Sequence, residues 1–465
     1  MLFFQASFYG RSGVVVGAIA LLASCGGSGG DGSFATPTAT AQPQVQQEQP
    51  EVPVVAKRAV GGTVTGLVGS LVLQNNAGDD LKLTANGKFS FESSVATGSN
   101  YTVSVRTQPY WQFCTVAKGS GTVTADVGDV AVSCTEAAAQ VSKLAGTGNA
   151  ASADGNRDTA SFADPFGILV DKNGGLTVSE VAGNRVRKVT ANGDVTTFAG
   201  NSTRATVDGN GTAASFNELT AIGVAPSGDL YAAEFSGQVI RKITSTADVS
   251  DFAGRRGVAG SADANGTAAT FTGPIAMAID GTGNIFLLEL NTALVRQITP
   301  AGDVITLAGS GLGFANGTGG AAKFYRPYGI AVDAGGNLFV ADSENNMIRK
   351  VAPGGVVSTF AGTGTAGALD GPAGSATFQR PGGLAFDAIG NLYVADTGNS
   401  ILRKITPGGV VSTVAGKAEE MGKQNGIGGA ARFGQPYGVA IGADGSIYVA
   451  DTLNNQIRKI VPVAP

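Results

Sequence analysis

The chain of 465 residues contains no histidine. That removes a Ser–His–Asp arrangement and any histidine-ligated zinc site. Cysteine occurs three times, at 25, 114 and 134, and tryptophan once, at 111. Charged residues make up only 14 %, and 31 Lys and Arg against 35 Asp and Glu leave a net charge of −4. With that balance nothing draws the chain to nucleic acid. No amphipathic helix is legible. The apolar run Val14 to Ala23 is too short to span a bilayer. Glycine, by contrast, is abundant at 71 residues, which suits tight turns rather than helices. The length allows more than one domain.

What is present is a repeat. Phe378 to Gly416 reads as four short apolar runs, GGLAFD, NLYVAD, ILRKIT and VVSTVAG, each closed by turn residues. Such runs, rich in Val, Ile, Leu and Tyr, form the strands of an antiparallel meander. The same grammar restarts at Phe162, Phe216, Phe271, Phe324, Phe378 and Phe433, at spacings of 53 to 55 residues. One four-stranded sheet cannot cover both of its faces, and this recurrence marks a β-propeller. The sixth unit lacks a fourth run. Val141 to Gly146 (VSKLAG), upstream of the first Phe, matches the missing strand. We therefore expect an all-β protein: a six-bladed propeller over 137–465 whose N-terminal strand closes the last blade.

After the second run the units carry D-x-x-N-x-x-I-R-K, as in Asp342 to Lys350 and Asp451 to Lys459. With the preceding G-N-[LI]-[YF]-V-A-D run, this resembles the NHL-repeat family of β-propellers over 141–461. The pattern is strongest in the last three units. The third departs most, with Leu287-Leu288-Glu289-Leu290 and Gln297. The resemblance implies a fold and leaves function open.

Residues 1–25 read as an export signal. The end, Leu22-Ala23-Ser24-Cys25 followed by Gly26, resembles a bacterial lipobox, which implies that Cys25 is acylated and that the protein is held at the cell envelope. Gly rather than Asp after that Cys implies the outer membrane. Residues 26–57, Gly/Ser and then Pro/Gln/Thr, form a tether with an end-to-end distance of roughly 30 Å. Residues 58–136 form a second, small β domain. Its stretch around Lys82 to Phe91 alternates about Asn86-Gly87, a hairpin signal, and looks like the immunoglobulin-like sandwich beside propellers in bacterial surface lipoproteins. With Cys25 assigned to lipid, Cys114 and Cys134 are left as a disulfide pair in an oxidising compartment. Trp111 is either core or a ligand platform.

In such a propeller the turn after the second run and the long link after each A-G run open on one face. The links are about fifteen to eighteen residues long, and that face is the candidate binding surface. Arg326, Tyr328, Arg380, Gln435 and Tyr437 sit there and differ from blade to blade, as contact residues do. Glu180, Glu234, Glu289, Asp342, Asp396 and Asp451 recur once per blade. They either bind cations or cap their turns and pair with the Arg of the third run. Asp208-Gly-Asn-Gly and Asp263-Ala-Asn-Gly faintly resemble calcium loops. Gluconolactonase-type propellers project metal-binding acids and Asn into the channel, whereas the first runs here are aliphatic or small in their bodies. We expect no catalytic residue, metal or cofactor. The reading is a lipid-anchored, monomeric envelope protein that binds a protein or glycan, with a metal-dependent hydrolase or lyase built on loop carboxylates as the alternative.

Overall fold

The computed structural model describes residues 54–465. Cys25, the signal segment and nearly all of the 26–57 tether lie outside the described residues. Between Ala138 and Val463 the chain makes six antiparallel sheets of at least four strands, each a blade. Blade five shows the pattern: Pro381–Phe386, Leu392–Asp396, Ile401–Ile405 and Val410–Ala415, in sequence order from the axis outward. The second strands are buried at every position. A blade is covered on both faces by its neighbours, so these strands lose the alternation of a half-exposed sheet.

The inner strands touch one another in turn, and that of blade six meets that of blade one, so the ring is complete. Glycine makes this approach possible. A Cβ on Gly383 would stand 2.0 Å from the carbonyl oxygen of Tyr437 in the next blade. Closure runs through Ala138–Ala145, which pairs antiparallel with Gln456–Val463 and places Val141 opposite Ile460. Chain ends far apart in sequence are thus tied within one sheet, which leaves only short edges.

The links do not crowd the mouth, as their length suggested. Each runs down the outside of its blade and pairs with the outer strand there. Gly317 lies opposite Val357, Gly371 opposite Val411, and Gly426 opposite Val141. A short 3-10 turn follows in four of the six links, such as Gly319–Ala321. The reason is backbone satisfaction: a link that adds a fifth strand gives its own N–H and C=O groups partners.

Ahead of the propeller, residues 57–136 form two facing four-stranded sheets. Val60 and Val64 of one sheet and Leu71 and Leu73 of the other share a core. Asn86-Gly87 is not a hairpin turn. Asp79–Leu83 and Gly87–Ser90 lie in different sheets, and the turn carries the chain across. The Asn86 side chain instead bonds the N–H and C=O of Leu67, at 2.8 and 3.0 Å. The hairpin forms earlier, between Leu71–Asn75 and Asp79–Leu83, through Asn76 and Ala77 at positive φ. Cys114 and Cys134 face each other on adjacent strands and form a disulfide. Of the two uses foreseen for Trp111 the structure shows the core one, in a core that the small domain shares with the propeller. Its ring packs with blades five and six, and its Nε1–H donates to the Gly445 carbonyl at 2.8 Å. It joins the small domain to the propeller.

Candidate functional site

Each blade carries one fully buried arginine: Arg187, Arg241, Arg296, Arg349, Arg403 and Arg458. A charge there needs a partner. The recurring acids supply it. Arg187 meets Glu180 at 2.9 Å, Arg349 meets Asp342 at 2.7 Å, Arg403 meets Asp396 at 3.0 Å and Arg458 meets Asp451 at 2.9 Å. Arg241 pairs likewise with Glu234, and Arg296 with Glu289. A second group comes from the link: Asp154, Asp208, Asp263, Asn316, Asp370 or Asn425, at 2.5–2.8 Å from the guanidinium. The leading Phe of each unit lies 5.1–5.8 Å below the same guanidinium, within cation–π range. Asp208 and Asp263, read as calcium-like loops, are thus link anchors for Arg241 and Arg296.

Burial pushes the carboxyls of Glu180, Glu234, Glu289, Asp342 and Asp451 above their ordinary range, against the pull of the guanidinium. Asp396 is pushed up to about 6 by the same cause. In the link acids Asp154, Asp208 and Asp263, partial burial is outweighed by hydrogen bonds and Arg, and their carboxyls stay below the usual range. All six recurring acids have no solvent exposure. They hold the blades together, and a metal centre built on them would have to displace a guanidinium in each case.

The five blade-variable residues do converge. Arg326, Tyr328, Arg380, Gln435 and Tyr437 line one cavity of about 380 Å³ over blades four to six, with Glu344, Gln379 and Thr397. Arg380 is steered by Glu344 at 3.1 Å. Tyr437 stacks on Phe166 at 4.9 Å and leans on Tyr328 at 5.8 Å. Burial raises its phenol to about 12, so it stays a hydrogen-bond donor at neutral pH. A second cavity of about 390 Å³ adjoins across Tyr328, Gln435 and Tyr437 and is lined by Phe166, Phe235, Ile275 and Leu290, with Asp164 and Glu218 at its edge. Below both lies the axial channel, about 420 Å³, walled by aliphatic residues such as Ile168, Ile222, Met277 and Val439.

Sequence reasoning missed Phe166, Phe235, Leu290 and Glu344. A positional signal was available. The residue after each recurring acid reads Val181, Phe235, Leu290, Ser343, Thr397 and Thr452. The first three are apolar. The last three clamp the next blade, with Ser343 Oγ donating to the Pro381 carbonyl at 2.5 Å, Thr397 Oγ1 to that of Pro436 at 2.6 Å and Thr452 Oγ1 to that of Pro165 at 2.7 Å. Among the described residues no group of three or more Cys, Asp or Glu is placed to hold a metal ion.

The family model described as NHL repeat matches residues 324–350 and 433–460, in blades four and six. NHL repeat-containing protein 2 of Bos taurus is 28 % identical over 339 residues, which cover 64 % of this chain and 46 % of that protein. The chain therefore spans less than half the length of that curated relative. A solved structure of a Bacteroides thetaiotaomicron protein of unknown function superposes with a TM-score of 0.57 at 19 % identity, over 89 % of this chain and 99 % of that one. An auxiliary nutrient binding protein from Bacteroides ovatus gives 0.55 at 15 % identity, over 87 % and 98 %. The chain carries NHL repeats and is homologous to NHL repeat-containing proteins of β-propeller structure.

Proposed function

We propose that this protein is a non-catalytic binding protein of the bacterial cell envelope, held by lipid on Cys25, which takes a protein or glycan partner on the mouth of the propeller. The observation that carries the reading is the convergence of Arg326, Tyr328, Arg380, Gln435 and Tyr437 on one cavity, although they come from three different blades and break the sixfold pattern. Aromatic side chains beside arginine in a concave site are the usual anchors of recognition. A structural neighbour named as a nutrient binding protein accords with a binding role and adds nothing about the ligand. The test is direct binding by envelope proteins and oligosaccharides to the full chain and to a variant with Arg380→Ala and Tyr437→Ala. Binding that survives both substitutions overturns the assignment of this face. Anchoring is tested apart: Cys25→Ser moves the protein from the membrane fraction to the soluble one, and a variant still sedimenting with membranes disproves the anchor.

A further inference from the structure

The second residue after each leading Phe forms a ring round the mouth: Asp164, Glu218, Gly273, Arg326, Arg380 and Gln435. All six have left-handed backbone, with φ between 47° and 66°. The repeat imposes this conformation. In five of the six blades a side chain of the preceding blade accepts this N–H: Asn455 that of Asp164 at 3.0 Å, Asn184 that of Glu218 at 2.8 Å, Gln238 that of Gly273 at 2.8 Å, Asn346 that of Arg380 at 3.0 Å and Ser400 that of Gln435 at 3.4 Å, while Ala293 stands at the equivalent place before Arg326. Glycine suits such a position, and blade three has it. Long side chains there carry a conformational cost, and Arg326 and Arg380 are exposed, so packing does not require them.

The identities are ordered. Going round, the ring is acidic, acidic, neutral, basic, basic, neutral. Blades three apart face each other across the axis of a six-bladed ring. Asp164 therefore stands opposite Arg326, Glu218 opposite Arg380 and Gly273 opposite Gln435. Glu218 is held by Arg204, and Arg380 by Glu344. Asp164 and Arg326 make no side-chain ion pair among the described residues. The apolar floor of Phe166, Phe235, Ile275 and Leu290 lies with Asp164 and Glu218 in one cavity, which shares Tyr328, Gln435 and Tyr437 with the cavity lined by Arg326 and Arg380.

We propose that the mouth takes a short peptide segment that sets an apolar side chain on this floor, a carboxylate on the Arg326 and Arg380 side, and an ammonium on the Asp164 and Glu218 side. The inference rests on the reading of this face as the binding surface and names its ligand class. Charge complementarity selects it. A neutral sugar leaves both free charges unmatched and a uronate-bearing one matches only the basic half. A peptide carries both charges, separated by about 3.3–3.6 Å per extended residue.

The probes are pooled pentapeptides with free termini and Leu or Phe at the centre, the same pools with the C-terminus amidated or the N-terminus acetylated, and neutral and uronate-bearing oligosaccharides. Titration calorimetry is run on the full chain. The free-termini pool binds, more weakly as salt rises. Amidation and acetylation each weaken it on the order of tenfold. Arg326→Gln removes the effect of amidation, and Asp164→Asn removes that of acetylation. Unchanged melting curves show that both surface variants fold. Peptide binding indifferent to its termini overturns the inference. So does oligosaccharide binding lost on Tyr437→Ala, which would leave the binding face standing. Binding of neither class overturns the inference and, with the envelope proteins also silent, the face itself.

Discussion

Replacing Arg403 by Met tests the central claim about the blades. The five N–H groups of Arg403 are all used. Nη1 donates to Asp396 and to the Thr377 carbonyl at 3.0 Å each, Nη2 to Asp370 at 2.7 Å and to the Leu369 carbonyl at 2.9 Å, and Nε to Asp370 at 3.2 Å. Met keeps the straight stem over Phe378 and removes every donor. Asp396 is then left buried with only the Asn399 side chain and the Gln379 N–H, both at 2.8 Å. Removing one partner of a buried ion pair costs about 3–5 kcal/mol. A propeller of about 330 residues has an unfolding entropy of about 0.7 kcal/mol/K, so the melting midpoint falls by about 4–7 °C. The Arg403→Met, Asp396→Asn double variant removes both charges and keeps the acceptor for Gln379. It should be more stable than Arg403→Met alone by at least about 1 kcal/mol. Calorimetry and guanidinium denaturation measure both quantities. A single-variant loss under about 1 kcal/mol, or a double variant as unstable as the sum of its parts, would refute the account of the buried pair.

Three further outcomes follow from the same structure. Trp111→Ala removes the packing on blades five and six and the bond to Gly445; scanning calorimetry should give a single transition for the parent and two for the variant, and an undivided transition in the variant would mean that Trp111 does not couple the domains. Val141→Pro deletes an N–H in the closing strand and should lower the midpoint by about 1–4 °C, since the loss of a ladder hydrogen bond leaves a buried acceptor unpaired at a cost of about 1–3 kcal/mol; an unaffected midpoint would show that the ring does not depend on this pairing. Two pH effects oppose each other. Asp396 binds its proton more tightly folded than unfolded, so its contribution is full below about pH 4 and is lost as pH rises through about 6, where its carboxyl resonance should titrate. The link acids Asp154, Asp208 and Asp263 are held below the usual range, so their contribution is present at neutral pH and lost as pH falls below about 4. Asn substitutions at these three positions should flatten the acid limb, and an identical limb would remove them from the buried network.

The ring was legible because its rules are local and repeat. Leading Phe, V-A-D run, Arg-Lys pair and A-G end recur at near-constant spacing, and the orphan VSKLAG supplied the missing strand. The pairing of Arg403 with Asp396 was also within reach, seven residues apart on neighbouring strands. Its second partner, Asp370, was not. That contact spans 33 residues and depends on the link folding back along the outer strand. The same folding back corrects the expectation that links form the mouth. The Asn86-Gly87 misreading has a different origin. Alternation on both sides of a turn states that two strands are half-buried, and it says nothing about whether they share a sheet.

Sixfold symmetry also supplies a control for deciding what belongs to the fold. A role in folding is the same in every blade, and the residues that serve it recur: the Phe beneath the guanidinium, the Arg itself, the acid beside it. Even variation is bounded there, as where Asn316 and Asn425 replace the link Asp and still reach the arginine. The rim obeys a different logic. Its backbone is the same in all six blades, and glycine satisfies that backbone in blade three, yet the side chains run from carboxylate to guanidinium. The second mouth position does likewise, with Phe166, Thr220, Ile275, Tyr328, Gly382 and Tyr437 in equivalent places. Blade five, with no side chain at Gly382, sits between Tyr328 and Tyr437, and the cavity of the five variable residues opens over it. A fold that needed only closure would gain nothing from this asymmetry. A site that must orient one ligand on a six-fold platform requires it, because without it six equivalent poses would compete.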